Sequence, residues 1–80
     1  MMEEKIINFF EKCARNKSID IDQKIDDMGF ANSLFLMQLV LFLEREFNIE
    51  VNDADLGKEH FSTVRSITKY VKEKINNKDE

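Results

Sequence analysis

Apolar residues recur along the chain with a spacing of three and four in three stretches, which predicts three amphipathic helices. The first, from about Glu3 to Asn16, carries Ile6, Ile7, Phe9, Phe10, Cys13 and Ala14 on one stripe. The second begins at Asn32 or Ser33, both strong N-cap residues, and runs to about Phe47. Its expected core stripe is Leu36, Leu39, Val40, Leu43 and Phe47. The third is capped by Ser62 or Thr63 and runs to about Ile75 along Val64, Ile67, Val71 and Ile75, with Phe61 as a staple before the cap. Residues 76 to 80 are expected to fray.

Between the first two helices lies a long connection, about Lys17 to Ala31. Ile19, Ile21 and Ile25 alternate there with aspartates and read as anchors that pin the loop to the helices. Gly29 allows a turn near its end. After an extended connector, Asn48 to Asn52, a brief helix capped by Asn52 or Asp53 is expected over Ala54, Asp55 and Leu56, with Gly57 near its end. The sum is an all-α fold, a small four-helix bundle of three longer helices and one short one. Eighty residues make one domain, 1–80, ordered over about 3–75. The absence of proline and the presence of only two glycines agree with long helices.

The second helix is apolar nearly all round. From Leu34 to Leu43 only Gln38 is polar. A small domain cannot wrap such a helix completely, so Leu34, Phe35, Met37 and Leu41 are expected to stay partly exposed for partners. A membrane span is disfavoured. The uncharged run Met28–Leu43 is sixteen residues and contains Gly29 and Asn32, whereas spanning needs about 20 in continuous helix.

The net charge of −4 is unevenly placed. Residues 20–59 hold ten acids and three bases, and the rest of the chain six acids and nine bases. An acidic middle repels phosphate backbones, which argues against nucleic acid and against a helix-turn-helix regulator. It calls for partners that present lysine and arginine. One cysteine, Cys13, supports neither a disulfide nor a metal site and is expected buried on its stripe. The N-terminus has no signal-peptide character, so the cytoplasm is the expected location. His60, the one histidine, reads as a solvated surface residue. No nucleophile–base–orienter set, phosphate loop or metal-ligand spacing is present, so catalysis is not expected and neither catalytic nor metal residues are assigned.

Ser33, by position alone, is a helix cap. The stretch Asp27-Met28-Gly29-Phe30-Ala31-Asn32-Ser33-Leu34, however, resembles the attachment motif of acyl carrier proteins, where a glycine-containing turn leads into Asp-Ser-Leu. Leu39–Val51 is similar to that family's second helix and its exit, and Phe61–Ile67 to the start of its last helix. The resemblance covers most of the chain and implies a stand-alone carrier with the acyl-carrier fold. It implies covalent 4′-phosphopantetheine on the Ser33 hydroxyl, installed from coenzyme A by a phosphopantetheinyl transferase. Cargo would be an acyl or aminoacyl thioester, passed between loading and transferring enzymes in fatty-acid, polyketide, peptide-type or other specialised biosynthesis.

Two departures bear on recognition. Asn32 stands where the family usually has aspartate, and Phe35 and Gln38 stand where fatty-acid carriers place acids. Both favour specialised partners with more apolar contact. The expected partner surface is Asn32, Leu34, Phe35, Met37 and Leu41, with Glu44, Glu46 and Asp53 as a charged rim that meets basic docking surfaces. The protein is expected to be a monomer. The alternative is an unmodified helical interaction module or homodimer that uses the second helix as its interface.

Overall fold

A computed structural model describes residues 2–14, 18–25 and 33–78, with Ser33 and Lys78 described by their backbone. The elements are α1 (Met2–Cys13), α2 (Ser33–Phe47), a 3-10 turn (Asp53–Asp55), α3 (Lys58–Phe61) and α4 (Val64–Lys78). There is no strand among the described residues. The fold is therefore all-α, three long helices and a short one, as the periodicity predicts.

α4 is the central element and packs against each of the other three helices. Its N-terminus shows why the helix begins where it does. The Ser66 N–H donates to Thr63 Oγ1 at 3.0 Å, and the Thr63 N–H donates to Ser66 Oγ at 3.1 Å. This reciprocal pair satisfies two amides that the helix itself leaves open. Val64, Ile67 and Val71 are fully buried, Tyr70 and Phe61 nearly so, while Ile75 is half-buried. The helix continues through Lys78, three residues past the expected end.

α1 contributes Ile6 and Phe10 to the core. Cys13 is exposed, contrary to expectation, because α1 is buried only at Ile6 and Phe10 and its last turn extends past that contact. What packing the Cys13 thiol has raises its pKa, the direction opposite to the one that activates a thiolate.

An aromatic cluster joins α1 to α2. Phe9 stacks on Phe42 with centroids 4.5 Å apart, and Phe10 meets Phe35 edge-on at 5.3 Å. This cluster rotates α2 relative to the expected stripe. The fully packed positions are Phe35, Leu39 and Leu43, each four residues apart, while Leu36, Val40 and Phe47 are half-buried. Asn48 ends α2 in the left-handed region, φ 54°, a conformation that asparagine tolerates better than most residues.

The connection between α1 and α2 is anchored as expected at Ile25, which is buried, and at Ile19 and Ile21, which pack on the core. It is also tied to the α3–α4 junction. The Ile25 N–H donates to the Ser62 carbonyl at 2.8 Å, and the Arg65 N–H to the Ile21 carbonyl at 3.0 Å. Arg65 adds a two-point contact to Asp22, Nε–Oδ1 2.6 Å and Nη2–Oδ2 3.1 Å.

The segment after the connector differs from the prediction. Residues Asp53–Asp55 form only a 3-10 turn, and the Asn52 side chain makes no capping bond. The short α-helix comes later, at Lys58–Phe61, after Gly57. Tyr70 holds the turn in place by donating to Asp55 Oδ2 at 2.7 Å. α3 also brings His60 onto the Tyr70 ring at 4.8 Å. The histidine is thus half-buried rather than solvated.

Candidate functional site: the start and outer face of α2

α2 begins at Ser33, as the sequence predicts. Its first turn holds no acidic residue, as in α4, whereas those of α1 and α3 do. Backbone amides at a helix start and the positive end of its dipole favour an anion there. A phosphodiester at this position would meet no like charge from the helix's own first turn. Residues 26–32, which include Asn32 and the turn expected at Gly29, lie outside the described residues, as does the direction of the Ser33 hydroxyl.

Three large apolar side chains are exposed in the described structure: Leu34 at 68%, Met37 at 64% and Leu41 at 55%. All three belong to α2 and share one face, spaced three and four apart. Phe35 does not join them. It was expected on the partner surface, but it is 7% exposed and packs in the aromatic cluster with Phe9 and Phe10. One residue along a helix turns the side chain by about 100°, enough to carry Phe35 from the face of Leu34 into the bundle.

Met37 and Leu41 border a groove of about 310 Å³ that is also lined by Leu36, Val40, Leu56 and Asp53. Asp53 is exposed and is the one acid lining this groove among the described residues. The other two rim acids are already engaged. Glu44 Oε2 accepts the Val51 N–H at 2.9 Å, which fastens the connector back onto α2. Glu46 Oε1 pairs with Lys5 Nζ of α1 at 3.0 Å, so it turns toward the bundle and away from the apolar face. The position that sequence reasoning passed over is Arg45. It is exposed and lies four residues beyond Leu41, a spacing that marks it as a member of the same face.

A second pocket, about 520 Å³, lies at the opposite end of α2 between Asn48, Ile49, Glu50, Lys74 and Asn77. It is remote from Ser33. No cluster of three potential metal ligands occurs among the described residues, and no described helix is long and apolar enough to cross a membrane.

An all-α fold whose apolar helix starts at serine is compatible with a small carrier domain, and comparison with known proteins gives the class. The family model described as "Phosphopantetheine attachment site" matches residues 10–71. A D-alanyl carrier protein of Streptococcus uberis is 37% identical over 73 residues, 90% of this chain and 92% of that protein. An acyl carrier protein of Thermotoga maritima is 49% identical over 51 residues, 64% of this chain and 59% of that protein. A crystal structure of an acyl carrier protein from Thermotoga maritima superposes with a TM-score of 0.72 at 24% identity, over 96% of this chain and 94% of that one, which supports the fold.

The chain belongs to the phosphopantetheine-attachment family of carrier proteins. Its cofactor is covalently attached 4′-phosphopantetheine.

Proposed function

We propose that the Ser33 hydroxyl carries the arm and that the chain acts as a non-catalytic carrier, a single domain and a monomer, working in the cytoplasm. The observation that carries this reading is the coincidence of three features. A fifteen-residue helix starts at Ser33, its first turn is free of acid, and Leu34, Met37 and Leu41 stand exposed just beyond.

Ser33 is a weak nucleophile alone, so a transferase must activate it. Its oxygen attacks the coenzyme A phosphate that bears the pantetheine. A P–O–C ester forms, the pyrophosphate bond breaks, and adenosine 3′,5′-bisphosphate leaves with the electron pair. The hydroxyl proton passes to the transferase. The arm ends in a thiol, which holds cargo as a thioester. The protein's part is recognition: Leu34, Met37 and Leu41 supply apolar contact, and Asp53 supplies a negative charge at the groove.

Acyl and aminoacyl cargo both suit this arrangement. The D-alanyl carrier relative, which matches along 90% of this chain, favours a small aminoacyl group. Fatty-acid, polyketide and peptide-type pathways would each use the same recognition face.

The test is intact-mass measurement after incubation with coenzyme A and a phosphopantetheinyl transferase. One phosphopantetheinyl group should be gained, and Ser33→Ala should abolish the gain. An unchanged mass with several broad-specificity transferases would favour an unmodified interaction module instead.

A further inference from the structure

The outer face of α2 ends on a cation. Arg45 is exposed and lies four residues beyond Leu41 and eight beyond Met37, about one and two turns along the same face. The acids on either side are turned to other work. Glu44 holds the Val51 amide, and Glu46 is paired with Lys5. Arg45 itself makes no salt bridge among the described residues. Although the middle of the chain is acidic, the exposed side chain at the far end of the apolar face with no ion-pair partner among the described residues is therefore a cation, beside a Glu44 that keeps its charge while it holds the Val51 amide.

We propose that Arg45 is a specificity-determining residue of the docking face: the partner enzyme places a carboxylate opposite it, at the edge of an apolar patch that receives Leu34, Met37 and Leu41. This rests on the reading of α2 as the recognition helix beside Ser33. The argument is charge complementarity. A guanidinium beside a well-desolvated apolar contact is attracted by a carboxylate and repelled by lysine or arginine, and a like-charge pair at an interface discriminates against the wrong partner. The face is thus mixed in sign, with Asp53 at the groove and Arg45 at the end of the helix. Partners built to read a uniformly acidic helix would meet repulsion at Arg45.

Arg45 also lies in the last turn of α2, where a cation suits the helix dipole. That role affects unfolding, not the charge dependence of docking, so the two are separable. The experiment uses the apo protein, coenzyme A and a broad-specificity phosphopantetheinyl transferase whose carrier-docking surface is basic. Rates are followed by intact mass for the wild type, Arg45→Gln and Arg45→Glu. Unfolding midpoints confirm that each variant is folded, and Arg45→Gln serves if the charge reversal disturbs the helix.

With the basic transferase, KM for the carrier should fall about three- to tenfold on Arg45→Glu, with less change for Arg45→Gln and with kcat preserved. Reversing the transferase's nearest docking cation to glutamate should invert this order, so that the wild type becomes the better substrate. Equal KM values across the variants, or a higher KM for Arg45→Glu with the basic enzyme, would overturn the assignment of Arg45 alone. No mass gain in any variant would overturn the Ser33 reading, and this inference with it.

Discussion

Replacing Phe35 by alanine should remove a large share of the protein's stability, while the same change at the adjacent Leu34 should barely register. Phe35 is 7% exposed and contacts Phe10 at 5.3 Å and Phe9 at 5.9 Å between ring centroids. Truncating a buried phenylalanine removes its transfer free energy and leaves a cavity, together about 3–5 kcal/mol. An eighty-residue domain has a total stability of about 4–12 kcal/mol at the usual value per residue. The change therefore removes a large share of the total. Leu34, 68% exposed, has little burial to lose, so Leu34→Ala should stay within about 0.5 kcal/mol. Urea unfolding followed by far-UV circular dichroism measures both, with the slope compared to establish that the unfolded reference is unchanged. A cost below about 1 kcal/mol at Phe35, or a larger cost at Leu34 than at Phe35, would refute the placement of the two faces of α2.

Further outcomes follow from the side-chain contacts. Burial and the hydrogen bond to Asp55 hold the Tyr70 phenol well above the ordinary tyrosine range. Because the folded-state pKa is raised, this contribution is complete below the unfolded pKa of about 10 and is lost as pH rises through the folded value. Absorbance titration should show phenolate appearing only at strongly alkaline pH, and an ordinary titration of the folded protein would contradict the contact. The hydrogen bond from Arg65 lowers the pKa of Asp22, so the stabilisation it gives is present above the unfolded value of about 3.9 and fades as pH falls through the folded one. Both groups are exposed, so the effect should be seen by NMR titration, with Arg65→Gln restoring an ordinary carboxylate. Asn32→Asp should speed modification by a general transferase, since it puts a negative charge beside the serine and aspartate is as good a capping residue type as asparagine; an unchanged or slower rate would mean that charge is not read.

The start of α2 was legible because residue types favoured at helix starts, Asn32 and Ser33, stand directly before a long apolar run, and both signals are local. The isoleucine anchors were legible too, since apolar residues in an otherwise acidic loop have few other uses. The facing of α2 was not. When nearly every position is apolar, the pattern does not say which stripe packs, and the choice falls to partner residues distant in sequence. Here Phe9 and Phe10 of α1 draw Phe35 inward. Cys13 was misplaced for a related reason: periodicity extends a stripe to the end of a helix, but the packing partner can stop a turn earlier. His60 and α3 depended on Tyr70, ten residues away from His60, and on a turn whose hydrogen bonds no propensity encodes. Within the rim, Glu46 looked available by sequence because nothing local shows that Lys5 of α1 reaches it.

The most direct test is to locate the modification on the chain. After transfer from coenzyme A, the protein is digested and the fragments are sequenced by mass spectrometry. Four serines compete, Ser18, Ser33, Ser62 and Ser66. The account predicts the phosphopantetheinyl group on the peptide containing Leu34, with fragment ions placing it on Ser33. Attachment at any other serine, or a fully modified Ser33→Ala protein, would contradict it.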